Sequence, residues 1–206
     1  MIEDYGTLHR FGPTLFKTEI TDECLERLQF SINVATEKFN QSLAGNIVDE
    51  RALSIDAETE NEILERCGLY MTKMAKQPYH NYPHYAHTSK ITGIWVNFQK
   101  AFEWNPPHFH SGDLSFVIYI DNPIDYELEA KHPTQEGTSP TAGVIRFRYG
   151  EDHALSDKAI DFVPSAKEML IFPSWLEHQV FPFTQEGITR ISIAGNVDVT
   201  KRINID

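Results

Sequence analysis

From about Ile91 onward the chain is a succession of short β-prone runs with no helical pattern between them, and this restricts the fold more than any other feature. The runs are ITGIWVNF (91–98), LSFVIYI (114–120), GVIRFRY (143–149), EMLIF (168–172), HQVFPF (178–183) and TRISIAGNV (189–197). They are rich in β-branched and aromatic residues and are separated by turn-forming clusters. Parallel pairing would need a crossover, usually a helix, between successive strands. An antiparallel sandwich or jelly roll follows. FGPTLFKTEI (11–20) is expected to add one further strand.

Two amphipathic helices precede this region. Thr21 is a fitting N-cap, followed by acidic Asp22 and Glu23, after which Leu25, Leu28, Ile32, Ala35 and Phe39 recur at helical spacing, so a helix is expected to run to about Asn40. A second begins near ETENE, where Thr59 and Glu62 have capping-box spacing. It continues through Ile63, Cys67, Tyr70, Met71 and Met74 to a stop at Pro78. The expected fold class is therefore mostly β with N-terminal helices, a double-stranded β-helix or jelly roll. One domain over 1–206 is expected, with 1–90 a helical preface carrying one strand and 91–200 the jelly-roll core. The two cysteines, Cys24 and Cys67, fall within the helical patterns and read as small buried hydrophobes, not as a disulfide scaffold.

Charge narrows the partners. Eighteen basic against 30 acidic residues give a net charge of −12, which repels phosphate backbones and argues against a nucleic-acid substrate. No secretory leader pattern opens the chain and no apolar run is long enough to span a bilayer, so no membrane role and a cytoplasmic location are expected.

Function turns on the histidines. His9, His132 and His153 stand alone in polar surroundings and read as surface residues, while YHNYPHYAH (79–87) groups His80, His84 and His87 in a proline-broken segment that suits a substrate-facing loop. His108 and His110 differ. They sit on the lip of the run 114–120, stiffened by Pro106 and Pro107, and residues i and i+2 of an extended chain project to one side and can converge on one ion. A hydrated strand end accounts for such a pair equally simply. His178, 68 residues after His110, stands between two strands behind a Pro-Ser-Trp corner, where a jelly roll can bring it beside the first two. Three ligands on one side with open positions opposite make a facial metal site. Its middle ligand is either His110 itself or Asp113, from the turn beyond. Downstream, alternation puts Arg190 and Ser192 on one face of their strand; an arginine on the inner wall of a barrel needs an anionic partner such as a dicarboxylic acid, whereas one facing solvent from an edge strand needs none.

The order HxH, LSFVIYI, FPSWLEHQVFP, RISIAGN resembles the 2-oxoglutarate and Fe(II)-dependent oxygenases, in particular a short group related to prolyl hydroxylases found in marine bacteria and phages; SLAGNIVDE (42–50) is similar to that group's helical preface. The resemblance spans roughly 91–197. It implies Fe(II) as metal, 2-oxoglutarate as cosubstrate and O2 as oxidant. His108 and His178 match the two iron-binding histidines, and Arg190 and Ser192 match the pair that anchors the distal carboxylate. Tyr119 matches a strand tyrosine bonded to the same carboxylate, and Asn97 a group near the iron or the 2-oxo end. The departure is His110, where the wider superfamily has a carboxylate, so three imidazoles or two with Asp113 would hold the ion. The resemblance implies hydroxylation of a small-molecule or peptidyl substrate, a prolyl residue among the candidates. It requires no catalytic acid or base beyond the ligands, and in a phage-encoded protein the location is the host cytoplasm. Two alternatives use the same scaffold: a cupin-like metal enzyme without 2-oxoglutarate, which has no general need for the inward arginine, and a non-catalytic jelly-roll module. Trp104, residues 79–87 and the polar stretch 121–143 are the candidate entrance.

Overall fold

The computed structural model describes residues 12–75, 86–137, 140–151, 153–154 and 157–202. In chain order these form β1 (Phe16–Glu19), α1 (Asp22–Val34), β2 (Glu50–Ala52), α2 (Ala57–Ala75), β3 (Ala86–Gln99), β4 (Asn105–His108), β5 (Leu114–Asp121), α3 (Tyr126–Glu129), β6 (Ile145–Arg148), β7 (Ala159–Phe162), β8 (Glu168–Pro173), β9 (Glu177–Val180) and β10 (Arg190–Arg202).

Every strand pairing among the described residues is antiparallel. A six-stranded sheet in the order β1-β8-β5-β10-β3-β2 faces a four-stranded sheet in the order β4-β9-β6-β7, a double-stranded β-helix. Strand alternation builds two cores. From β5 and β8, Phe116, Ile118, Met169 and Ile171 point outward and meet Cys24, Leu28, Ile63 and Cys67 of the helices, while Val117, Leu170 and Phe172 point inward and meet Ile145 and Phe147 of β6. Burial on both faces explains why LSFVIYI reads as continuously apolar.

The preface holds two strands where one was expected, because β2 pairs with β3 at the sheet edge. The same pairing ends α1 six residues before Asn40. Ala35 leaves the helix with extended geometry, its carbonyl accepts from Arg51 Nη1, and Glu37 and Phe39 bond the β2 backbone. Thr21 does cap α1, accepting from Cys24 N. At α2 the cap is Asp56, which accepts from Thr59 N at 2.7 Å, and Glu62 instead accepts from Thr21 N and Oγ1, tying the two helix starts together.

Within the polar stretch 121–143, Glu129 is an anchor. Glu129, only 2% exposed, accepts from the backbone N–H groups of Thr184 and Gln185, from Gln185 Nε2 and from Thr184 Oγ1. Glu129→Ala strands these donors and is expected to cost about 2–4 kcal/mol in urea denaturation. A cost within the error of the measurement would mean that the segment is not anchored there. No helix among the described residues is long and apolar enough to cross a membrane.

Candidate metal and cosubstrate site

β4 and β9 lie side by side in the smaller sheet, and their register sets His108 opposite His178. His110 follows just beyond β4. Its N–H donates to Ser174 O, and Ser174 N donates to Asp113 O, so the turn after the pair is clamped to the corner before His178. The ligand atoms of His108, His110 and His178 lie within 4.8 Å of one another. His108 Nδ1 is 2.7 Å from Pro106 O and His178 Nδ1 is 3.0 Å from Leu176 O. Each carbonyl accepts an N–H, which assigns the proton to Nδ1 and leaves Nε2 with a free lone pair.

Burial keeps all three rings neutral. It pushes His178 down to about 3 and His110 to about 4, with His108 adding repulsion in both cases, and it lowers His108 as well. His178, 4% exposed, is held between the rings of Phe147 and Phe172. Its Nε2 stands 3.2 Å from His110 Nε2, a contact that a shared cation relieves. Three neutral nitrogen donors, two of them oriented by backbone carbonyls, suit a divalent transition metal such as Fe(II).

Asp113 is brought elsewhere. Its Oδ2 accepts from Val199 N at 2.7 Å, fastening the turn to β10, and it is not part of the three-histidine group. His132 bonds Thr134 and His153 bonds Glu151, both at the surface. His9, His80 and His84 lie outside the described residues, as does most of the segment 79–87.

Between the two sheets the histidines open onto a cavity lined by Asn97, Asn105, Val117, Tyr119 and Ser192 among others. Cross-strand register aligns Asn97 of β3, Ser192 of β10 and Tyr119 of β5 in one row. Asn97 Nδ2 donates to Ser192 Oγ at 3.3 Å. The Tyr119 hydroxyl is buried without a partner, and burial raises its pKa, so it stays a protonated donor.

Arg190, next inward position on β10 from Ser192, is 2% exposed. Its Nη1 donates to Gly143 O, its Nη2 to Gln99 Oε1, and its guanidinium lies 5.8 Å from the Tyr119 ring centroid. Nε has no partner, and among the described residues no carboxylate forms an ion pair with it. The Tyr126 hydroxyl also lies beside the guanidinium, which still has no carboxylate partner among the described residues in a region where an unpaired charge is costly. Gly143 has φ +67°, and a β-carbon there would lie 2.8 Å from Ile124 Cδ1, so only glycine presents this carbonyl without strain.

Sequence reasoning passed over Gln99, Asn105 and Gly143. Gln99 and Asn97 share the inward face of β3 by simple alternation, which was the available signal; Gly143 joins the site through a loop, where no periodicity marks it.

A protein-family model described as "Putative 2OG-Fe(II) oxygenase" matches residues 93–196, just over half of the chain. The chain belongs to the 2OG-Fe(II) oxygenase family. That family uses Fe(II), 2-oxoglutarate and O2, and His108, His110, His178 and the cavity residues named above fall inside the matched span. No curated protein sequence matches the chain. Among solved structures, a prolyl hydroxylase from Trichoplax adhaerens in complex with a hypoxia inducible factor peptide fragment superposes with TM-score 0.51 at 12% identity, covering 92% of this chain and 83% of that one. A prolyl-4-hydroxylase from Pseudomonas putida gives 0.50 at 13%, covering 88% and 90%. HygX from Streptomyces hygroscopicus, with nickel, 2-oxoglutarate and hygromycin B bound, gives 0.52 at 9%, covering 89% and 82%. At these identities the oxygenase likeness is one of fold.

Proposed function

We propose that His108, His110 and His178 hold Fe(II) through Nε2, that Arg190, Ser192 and Tyr119 hold the distal carboxylate of 2-oxoglutarate, and that Asn97 lies beside its other end. The observation that carries the reading is a cluster of three neutral imidazoles opening onto the same inter-sheet cavity as Tyr119 and Ser192, with an unpaired buried guanidinium next to them on β10. His110 is the better third ligand because the carboxylate of Asp113 is spent on Val199 N.

When bound, Fe(II) would hold O2 and the 2-oxo acid side by side, so that the oxidising equivalents of O2 are shared between decarboxylation of 2-oxoglutarate and hydroxylation of a C–H bond. The chain's own residues do the rest. A third imidazole in place of a carboxylate leaves one more positive charge at the centre, which raises its preference for the anionic cosubstrate. Arg190 is already desolvated and partly fixed by Gly143 and Gln99, so little ordering remains when a carboxylate arrives. Ser192 accepts from Asn97, which leaves its hydroxyl proton to donate, and the Tyr119 hydroxyl is a second free donor. Val117, Ile145 and Phe172 in the wall limit water.

The substrate class we carry forward is peptidyl. Phe109, between the paired histidines in sequence, is 72% exposed, and Trp175, on the corner leading to His178, is 56% exposed, which suits contact with a chain that lies across the surface. Two of the fold relatives are named prolyl hydroxylases.

The test is anaerobic titration with Fe(II) and 2-oxoglutarate, watching the visible charge-transfer band of the chelate. A saturable band is expected; none at any concentration refutes the assignment. Mass spectrometry after aerobic incubation with proline-containing peptides then addresses the substrate, with one added oxygen atom as the expected product. Oxygen appearing in small metabolites and in no peptide would refute the peptidyl class.

A further inference from the structure

At the edge of the larger sheet, beside the cavity wall, three oxygen acceptors are buried without a donor: Glu50 Oε1, Asn97 Oδ1 and Asn105 Oδ1. Glu50 is 0% exposed and pairs in register with Asn97. Its carboxyl and the Asn105 carboxamide both lie against Gly45, where a β-carbon would stand 2.6 Å from Asn105 Oδ1 and 3.0 Å from Glu50 Oε1. The second carboxyl oxygen of Glu50 accepts from Asn40 Nδ2 at 3.2 Å. Two buried oxygens that flank one glycine, with nothing donating to either, are costly to keep out of water, and a proton on the carboxyl is the smallest donor that serves both.

We propose that Glu50 is a positioning residue: as a neutral acid it donates its O–H to Asn105 Oδ1, which turns the Asn105 Nδ2 donor into the cavity to bond a carboxylate oxygen of the cosubstrate. Asn105 lines that cavity beside Asn97 and His108. The inference rests on the reading of the cavity as the 2-oxoglutarate site.

The surroundings favour the neutral form. Burial pushes Glu50 up to about 7, the charge of Glu103 adds to this, and the Asn40 bond opposes it. Glu103 is held by Val48 N and Lys100 N in the loop packed against β2. Asp49, just before β2, and Arg51, on it, flank Glu50 and pair with each other. Asn40, Asn97 and Asn105, from the other elements that meet the carboxyl, are uncharged. Once ionised, Glu50 accepts instead of donating. The Asn105 amide then turns its Nδ2 toward Glu50 and its oxygen toward the cavity, where it repels a carboxylate.

Two readouts test this. In metal-free protein, the difference infrared spectrum of wild type against Glu50→Gln is followed from about pH 6 to about pH 9. The carbonyl stretch of a protonated carboxyl is expected at the acid end and lost on passing about pH 7; its absence throughout overturns the proposal. In calorimetry of 2-oxoglutarate binding to the Mn(II)-loaded protein, wild-type affinity is expected to fall at least about tenfold across the same range. Glu50→Gln, whose amide N–H donates to the same oxygen, should hold the acid-end affinity at every pH, and Asn105→Ala should bind weakly with no dependence. Identical profiles for wild type and Glu50→Gln overturn the proposal. Failure of wild type to bind 2-oxoglutarate at any pH refutes the cosubstrate site, and with it the role given to Asn105, while the infrared band separately reports the proton on Glu50.

Discussion

Arg190→Met is expected to raise the Kd for 2-oxoglutarate by about 100- to 1000-fold in calorimetry with the Mn(II)-loaded protein, the loss of about 3–4 kcal/mol typical of removing one partner from a buried, charge-assisted pair. The size of the effect follows from where Arg190 sits. It is fully buried, bonds Gly143 O and Gln99 Oε1, and has no carboxylate partner among the described residues. Without ligand, the charge it contributes is a burden on the fold. Methionine removes that burden but strands the two acceptors, so the stability of the ligand-free protein should change by no more than about 2 kcal/mol. This split separates a residue kept for the cosubstrate from one kept for folding. Arg190→Lys retains the charge without the fork and should fall between wild type and Met. A Kd for Arg190→Met within about threefold of wild type would remove the arginine from the site.

His178→Ala is expected to abolish metal-dependent stabilisation. A ligand present at about a thousandfold over its Kd stabilises by about 4 kcal/mol, worth about 8–16 °C in Tm for a chain of this size. Wild type should show a rise of that order with Mn(II) and lose it with a chelator, and His178→Ala should show neither. The same imidazoles set the acid limit of the metal-free protein. Burial holds His178 at about 3 and His110 at about 4, below the usual 6.5 of an exposed ring. A depressed pKa in the folded state means that the unfolded chain binds the extra protons first. Their contribution is therefore complete above about pH 6.5 and declines as pH falls toward 4 and 3. Denaturation midpoints measured from pH 7 down to pH 4 should fall in wild type and fall less in His178→Ala, whose alanine has no proton to take up. Parallel profiles would show that the rings are not buried as described.

How much of this was legible in the sequence depends on which physical rule places each part. Strands buried on both faces, such as β5 and β8, announce themselves by apolar content, and β10 announces Arg190 and Ser192 by alternation. The strands that pattern reading passed over are short and lie at sheet edges: β2 has three residues, β7 has four, and β4 is Asn-Pro-Pro-His. An edge tolerates proline because one side of the strand needs no ladder bond, so the usual punctuation misleads there. The early end of α1 has the same origin, since residues 35–39 turn to bond β2, a tertiary event that helical spacing does not record. The three histidines could be grouped because each stands beside a strand end. The partners that orient Arg190, Gly143 above all, come from a loop, and the burial of Glu50 arises only when residues 40–50 fold over the end of β3.

The most direct test of the central claim is an anaerobic crystal structure with Fe(II) and 2-oxoglutarate, with the iron located by its anomalous scattering. The account predicts one peak bonded to Nε2 of His108, His110 and His178, with the distal carboxylate of 2-oxoglutarate on Arg190. A peak bonded to Asp113 in place of His110, or a cosubstrate turned away from Arg190, would contradict it.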